Sequence, residues 1–210
     1  MKFFKILTLI PFCLLILQGC GNSLEKASEQ AETAYEAFLS GDISLFDSTE
    51  KETWALDVWT DTILPSGGLE YTYLDLDGDG VSELLVQYVD DPCIYNGVFH
   101  YSGGKLYCWQ NDFSEGNVRD YPLKDGTMVH QYKKDVVIVY EIFRYNSDGE
   151  TEQISRLMAF GNCMSDDIVV PERGEYITYE GEVDYPVFVE KLNEMVTDKM
   201  LDRSAWTAID

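Results

Sequence analysis

The sequence predicts an α+β fold in which an antiparallel β-meander of about eight or nine strands has a helix packed on it at each end. Two observations predict the sheet. Turn-forming residues recur about every ten residues from Glu70 to Phe160, and short runs rich in Tyr, Phe, Val, Ile and Leu lie between the turns. A third observation predicts the helices, because apolar residues on both sides of this region recur at helical spacing.

The N-terminal helix is predicted between Gly21 and Gly41, after a short tether. Its apolar stripe alternates with glutamates, which predicts that one face packs on the domain, and Gly41 stands where helices commonly end. The stripe consists of Leu24, Ala27, Ala31, Ala34, Tyr35, Phe38 and Leu39. A second helix is predicted from Thr49, which has capping-box spacing with Glu52. Pro65 to Gly68 ends that segment.

A glycine pair predicts the register of one hairpin. If Gly103–Gly104 forms a two-residue turn, His100 pairs with Tyr107 and Phe99 pairs with Cys108. His100 and Cys108 then lie on opposite faces of the hairpin, which argues against a catalytic pair of thiol and imidazole.

The remaining elements follow from local patterns. "VVIVYEIF", Val136 to Phe143, is apolar at nearly every position and predicts a central strand covered on both faces. A last strand is predicted at Tyr176 to Tyr179. In the C-terminal helix Asp184 can cap the first turn and Pro186 fits it. The predicted apolar stripe of that helix is Phe188, Leu192, Met195 and Met200.

The N-terminus has the layout of a secretory signal. Two lysines precede Ile6 to Leu17, an apolar run too short to span a bilayer. "LQGC", Leu17 to Cys20, resembles the lipobox of bacterial lipoproteins. The resemblance implies acylation of Cys20 and a lipid anchor in the cell membrane that leaves the protein on the extracytoplasmic side. The expected organisation is a signal peptide at 1-19, a tether and N-terminal helical region at 20-69, and a sheet domain with its C-terminal helix at 70-210.

Charge limits the classes of partner. The chain has 38 acidic and 15 basic residues, and removal of the two lysines of the signal would change its net charge from −23 to −25. Such a surface repels nucleic acid, which excludes nucleic-acid binding, and it favours cations or basic partners.

Three cysteines lie beyond the signal and lipobox, and they allow either one disulfide with one thiol or three thiols. They are Cys93, Cys108 and Cys163.

"DLDGDGVSE", Asp75 to Glu83, places three aspartates on alternate positions around two glycines and closes with a glutamate. Calcium requires six to eight oxygen ligands, and carboxylates this close repel one another unless a cation offsets them. The alternative is an ordinary turn, because Asp and Gly are common turn residues. We predict one structural Ca²⁺ ion of weak affinity, about 0.1 to 1 mM. Its predicted ligands are the side chains of Asp75, Asp77, Asp79 and Glu83 and the carbonyl group of Val81.

The loop resembles the calcium loop of FG-GAP repeats, in which an acid at position nine closes the site. A helix-loop-helix calcium site would need a glutamate at position twelve, which is Val86 here. The resemblance covers Tyr73 to Tyr88 and occurs once, so it implies the loop geometry and not a propeller.

More widely, the chain resembles uncharacterised surface lipoproteins of anaerobic Gram-positive bacteria. The segments that carry this resemblance are "AYEAFLSGD", "DLDGDGVSELLV", "GVFHYSGGKLYCW", "YPLKDGTMV" and "LDRSAW". That resemblance implies the location and no activity.

No catalytic residues are predicted, because the common catalytic motifs are absent and His130 fits a half-buried strand position. The favoured interpretation is a calcium-binding surface protein that acts as a binding or interaction module. Its partner would be a glycan, a peptide or another surface protein. The alternative is an extracellular hydrolase of glycan or peptide that uses acidic residues.

Aromatic rings on a rigid sheet suit a sugar or peptide. The candidate ligand-binding residues are Tyr95, Phe99, Tyr101, Tyr107 and Trp109.

Overall fold

The computed structural model describes residues 10–46, 63–64, 67–90, 95–113, 118–161 and 170–209. Two α-helices have both ends given within these ranges, α1 (Ile10–Leu39) and α2 (Tyr185–Met195). The strands are β1 (Leu69–Leu74), β2 (Glu83–Tyr88), β3 (Tyr95–Ser102), β4 (Lys105–Phe113), β5 (Val118–Pro122), β6 (Met128–Lys134), β7 (Val137–Tyr145), β8 (Thr151–Phe160), β9 (Glu175–Thr178), β10 (Gly181–Val183) and β11 (Thr207–Ala208). The predicted antiparallel α+β class is confirmed. The helix predicted from Thr49 lies outside the described residues.

The strands form two sheets rather than one. The first sheet has the order β11-β1-β2-β3-β4 and the second has the order β10-β9-β8-β7-β6-β5. All neighbouring strands in both sheets are antiparallel. Within each sheet most neighbours are also consecutive in the chain, as expected for a meander.

The two sheets lie between the two helices, so the fold has four layers. Helix α1 buries Tyr35 and Phe38 against the outer face of the first sheet, and Phe38 lies 4.5 Å from Phe99 between ring centroids. A third apolar cluster joins the sheets and includes Leu85 of β2 and Met128 of β6. Helix α2 covers the far face of the second sheet. Each sheet therefore buries side chains on both faces.

Helix α1 confirms the predicted apolar stripe from Ala27 to Leu39, whereas Leu24 is 43% exposed. The helix also begins earlier than expected. It includes the segment after Gly21 that we predicted as a tether. It ends at Leu39, and Gly41 follows with φ +92°, a conformation that favours glycine. Among the described residues, no helix is long and apolar enough to cross a membrane.

The predicted hairpin register is correct. Gly103 and Gly104 form the turn, Phe99 pairs with Cys108, and His100 pairs with Tyr107. The side chains of His100 and Cys108 are thus on opposite faces, as alternation along a strand requires.

Strand β7 confirms the central strand predicted from "VVIVYEIF". It lies between β6 and β8, and three consecutive residues, Ile138, Val139 and Tyr140, are buried. Val136 lies just before the strand and is exposed.

The C-terminal helix was predicted correctly in position but not in length. Asp184 is the N-cap residue, although its side chain makes no capping hydrogen bond, and Phe188 is fully buried. The prediction was wrong for Met200, which lies five residues beyond the end of α2 and is 44% exposed. A turn of 3-10 helix at Thr197–Lys199 redirects the chain, so helical spacing no longer applies there.

The final segment closes the open edge of the first sheet. Strand β11 pairs with β1, and the Trp206 side chain packs in the cluster between the sheets. The guanidinium of Arg203 donates to the buried carboxylate of Glu70, which also accepts a hydrogen bond from Gln87 at 2.8 Å. The motif "LDRSAW" therefore stabilises the sheet edge.

Candidate metal centre

The acidic loop connects β1 to β2 and turns all three aspartates toward its own backbone. Asp75 accepts hydrogen bonds from the amides of Gly78 at 2.7 Å and Gly80 at 3.0 Å. Asp77 accepts from the Asp79 amide at 3.0 Å, and Asp79 accepts from the Val81 amide at 2.7 Å. Gly78 and Gly80 have φ of +82° and +88°, which makes this tight path possible. The carboxylates consequently converge on the loop interior.

Glu83 lies at the start of β2 and points between the two sheets. Its side chain is fully buried, and one of its carboxylate oxygens accepts a hydrogen bond from the Leu76 amide at 2.7 Å. The other oxygen lies 2.9 Å from Nδ1 of His100, which is 4% exposed. Burial raises the pKa of Glu83, and the charge of Asp77 adds to this effect, against the hydrogen bonds from His100 and Leu76.

The side chains that could hold a metal ion fall into two overlapping groups that share Asp77. In one group the side-chain oxygens of Asp75, Asp77 and Asp79 lie within 4.8 Å of one another. In the other, ligand atoms of Asp77, Glu83 and His100 meet the same limit. Val81 is buried and contacts Asp79 through its amide. The sequence therefore predicted the carboxylates that come together, and it missed the imidazole.

Asp77 carries the most informative atom of the site. Its Oδ2 is buried and has no hydrogen-bond partner among the described residues. Burial raises the pKa of Asp77, and the negative charges of Asp79 and Asp75 contribute in the same direction. A buried carboxylate oxygen without a donor costs free energy that a bound cation would offset.

Neighbouring elements hold the loop in place. Gly126, in the turn before β6, approaches so closely that a Cβ atom there would lie 2.3 Å from the carbonyl oxygen of Asp75. On the other side, a Cβ on Gly80 would lie 3.1 Å from the Leu24 side chain of α1. Tyr35 of α1 is also affected by Glu83. Burial raises the pKa of the Tyr35 hydroxyl most, and the negative charge of Glu83 raises it further. Both sheets and α1 thus fix the loop geometry.

His100 is the functional candidate that sequence reasoning missed. Leu84 pairs with Phe99, so the next position on each strand brings Glu83 beside His100. Asp90 to Pro92 signals a turn between β2 and β3, but it does not determine the register in which the two strands pair. The hairpin prediction gave the face of His100 relative to Cys108, but not its neighbour on β2.

The other predicted site residues are dispersed. Cys20 lies within α1, and its lipidation stays a prediction. Cys93, Cys163 and the side chain of Tyr95 lie outside the described residues. The Cys108 thiol donates to the carbonyl of Gln110 at 3.3 Å.

The four candidate aromatic residues whose side chains the structure describes do not form one exposed platform. Phe99 is fully buried in the core beneath α1, so its ring is not exposed to a ligand at the surface. Tyr101 packs toward the same core, whereas Tyr107 lies beside His100 on the opposite face. Trp109 stacks on His100 and lines a cleft between the sheets. Trp109 therefore combines a position in this cleft with the predicted aromatic character.

The fold and the site together define a four-layer α+β domain with a candidate cation-binding loop between its first two strands. Comparison of the chain with protein-family models, curated proteins and solved structures gave no match.

Proposed function

We propose that the protein is a lipid-anchored, extracytoplasmic domain of the cell surface that binds one structural calcium ion at the loop from Asp75 to Glu83. The buried, unpartnered Oδ2 atom of Asp77 is the observation that carries the cation proposal. The ion stabilises the junction of the two sheets and α1, and so presents the domain surface to a partner.

The chemistry of the donors favours calcium over softer metals. Asp75, Asp77 and Asp79 offer only oxygen atoms, which suit calcium and magnesium. The Nδ1 atom of His100, a better ligand for zinc or copper, is engaged with Glu83 at 2.9 Å. In this proposal His100 orients Glu83 through that contact and does not bind the ion.

Titration of the full chain in detergent with Ca²⁺ tests the cation site. Calorimetry and melting curves are recorded from zero to several millimolar calcium, with Mg²⁺ and Zn²⁺ titrated separately. We expect a melting temperature that rises with calcium in the wild type and is unchanged by calcium in Asp77→Asn. Asp148→Asn is the matched control, because Asp148 is an exposed turn aspartate outside the loop and its variant should respond like the wild type.

Two results would contradict the cation site. The first is no response to calcium at several millimolar, which exceeds the affinity expected for extracellular sites of this kind. The second is zinc binding that Asp77→Asn weakens while calcium has no effect, which would assign the cluster to a softer metal.

Labelling of the expressed protein with radioactive palmitate tests the anchor. We expect label in the wild type and in Cys13→Ser, and none in Cys20→Ser. Label that persists in Cys20→Ser would place acylation at another residue and remove the support for the anchor.

A further inference from the structure

A cleft lies between strand β4 of the first sheet and the inner face of the second sheet. It has a volume of about 850 Å³, which falls within the range of small-molecule sites. Amide, hydroxyl, carboxylate and aromatic groups line it. The residues that the argument uses are Gln110, Asn111, Asp120, His130, Phe143 and Gln153.

A network of hydrogen-bonded side chains forms the floor of the cleft. Asp120 is only 3% exposed, and its Oδ1 lies 2.6 Å from Nδ1 of His130. Its Oδ2 accepts a hydrogen bond from Nε2 of Gln110 at 3.1 Å. The hydroxyl of Tyr145 donates to Oε1 of the same Gln110 at 2.7 Å, which fixes the orientation of the amide. Such preorganised polar groups bind a ligand at low entropic cost.

Two of the carboxylates in the cleft have a basic side chain beside them. Asp120 faces His130, and Glu141, in the neighbouring register position, faces Arg156 at 3.2 Å. The imidazole of His130 carries a charge only when it is protonated, and the exposed Glu150 is a third carboxylate of the cleft. Among the described residues that line the cleft there is no lysine or arginine. A strongly anionic ligand is therefore disfavoured.

The side-chain amides that line the cleft suit a ligand that both donates and accepts hydrogen bonds. The side chains of Gln110, Asn111 and Gln153 each carry a carbonyl acceptor and an NH₂ donor, and hydroxyl groups on a sugar ring have the same dual character. Phe143 adds an aromatic ring against which the apolar face of a sugar can pack.

We propose that this cleft is a second site, which binds an uncharged saccharide, with Asp120 and Gln110 as its fixed anchors and Gln153 at its rim. The site shares no ligand with the cation centre. Saccharide binding and calcium binding are therefore measured separately, and the failure of one proposal does not entail the failure of the other.

Calorimetry and saturation-transfer NMR of the full chain in detergent with chitotetraose, cellotetraose and a galactose tetrasaccharide test the proposal. Spermine and a trigalacturonate serve as cationic and anionic comparators. We expect at least one neutral sugar to bind with a Kd below 10 mM, and at least tenfold weaker binding in Gln153→Ala and Asp120→Asn. Gln30→Ala is the matched control, because Gln30 is an exposed glutamine on α1, and it should bind like the wild type.

Each alternative result overturns the proposal. No neutral sugar binding in the wild type excludes the ligand class, and binding of spermine alone assigns the cleft to a cation. Sugar binding that survives in Gln153→Ala places the ligand elsewhere. Gln153 is exposed, so this variant keeps the test valid if the buried Asp120→Asn variant fails to fold.

Discussion

The imidazole of His100 stacks on the indole of Trp109, with 4.2 Å between ring centroids and 13° between ring planes. His100 contacts Glu83 of the cation centre, and Trp109 lines the cleft and stacks on Tyr145 at 5.2 Å. One pair of rings therefore joins the two proposed sites. This contact makes Trp109 a reporter of the cation site.

Calcium is expected to change the fluorescence of Trp109. Binding redistributes charge around Glu83 and His100, and an imidazole stacked on an indole alters its emission when its charge or position changes. Emission spectra during a calcium titration measure this effect. It should be lost in Trp109→Phe and retained in Trp206→Phe, since Trp206 packs between the sheets without a ring contact to His100 among the described pairs. An unchanged calcium signal in Trp109→Phe would contradict the connection.

The calcium-free protein should lose stability as pH rises above the ordinary range of carboxyl pKa values. Burial raises the pKa values of Asp77 and Glu83 in the folded state, so the folded protein holds protons that the unfolded chain releases. The free energy of unfolding falls as pH rises through that interval. Asp77→Asn removes one of these groups, so its melting temperature in EGTA should improve relative to the wild type between pH 4.5 and 7.5.

Saturating calcium is the control for this pH dependence. The ion binds the ionised carboxylates and should reduce the advantage of Asp77→Asn near neutral pH or reverse it. A difference between variant and wild type that stays constant with pH in EGTA would show that Asp77 titrates normally.

Gly126→Ala should weaken both the fold and calcium binding. The new Cβ would lie 2.3 Å from the carbonyl oxygen of Asp75 at a residue with φ +79°, so the loop must move. Gly104→Ala is the matched control, because its φ is +85° and nothing lies within 4 Å of the new atom. We expect the control to lose about 1 to 2 kcal/mol from backbone strain alone, with unchanged calcium affinity. Denaturant unfolding and calorimetry compare them, and equal effects would contradict the close contact.

Arg203→Met should destabilise the protein by about 1 to 3 kcal/mol, because the buried Glu70 carboxylate loses a charged donor. Addition of Glu70→Gln should recover part of the loss, because the charge that needs the partner is then absent. Lys124→Met tests an exposed ion pair, Lys124 with Asp202 at 3.1 Å, and should change stability by less than about 1 kcal/mol. Equal losses for the two single variants in urea unfolding would show that burial of Glu70 is not decisive.

Local patterns in the sequence predicted the elements that depend on near neighbours. Turn residues located the hairpin at Gly103 and Gly104, and helical spacing located the stripe of α1. The alternation of Asp75, Asp77 and Asp79 predicted that their carboxylates converge, because a single loop brings them together. These features involve contacts between residues close in the chain, where spacing alone determines which side chains meet.

Tertiary structure decided the features that depend on how distant strands stack. The sequence did not show that the strands divide into two sheets, nor that Glu83 meets His100, which is 17 residues away. It also did not show that Asp120 and His130 face a cleft whose opposite wall contains Trp109. Alternation along a strand predicts two faces but not which face another sheet will cover. That choice follows from the packing of apolar side chains across the whole domain, and it determined where the polar groups of both sites are buried.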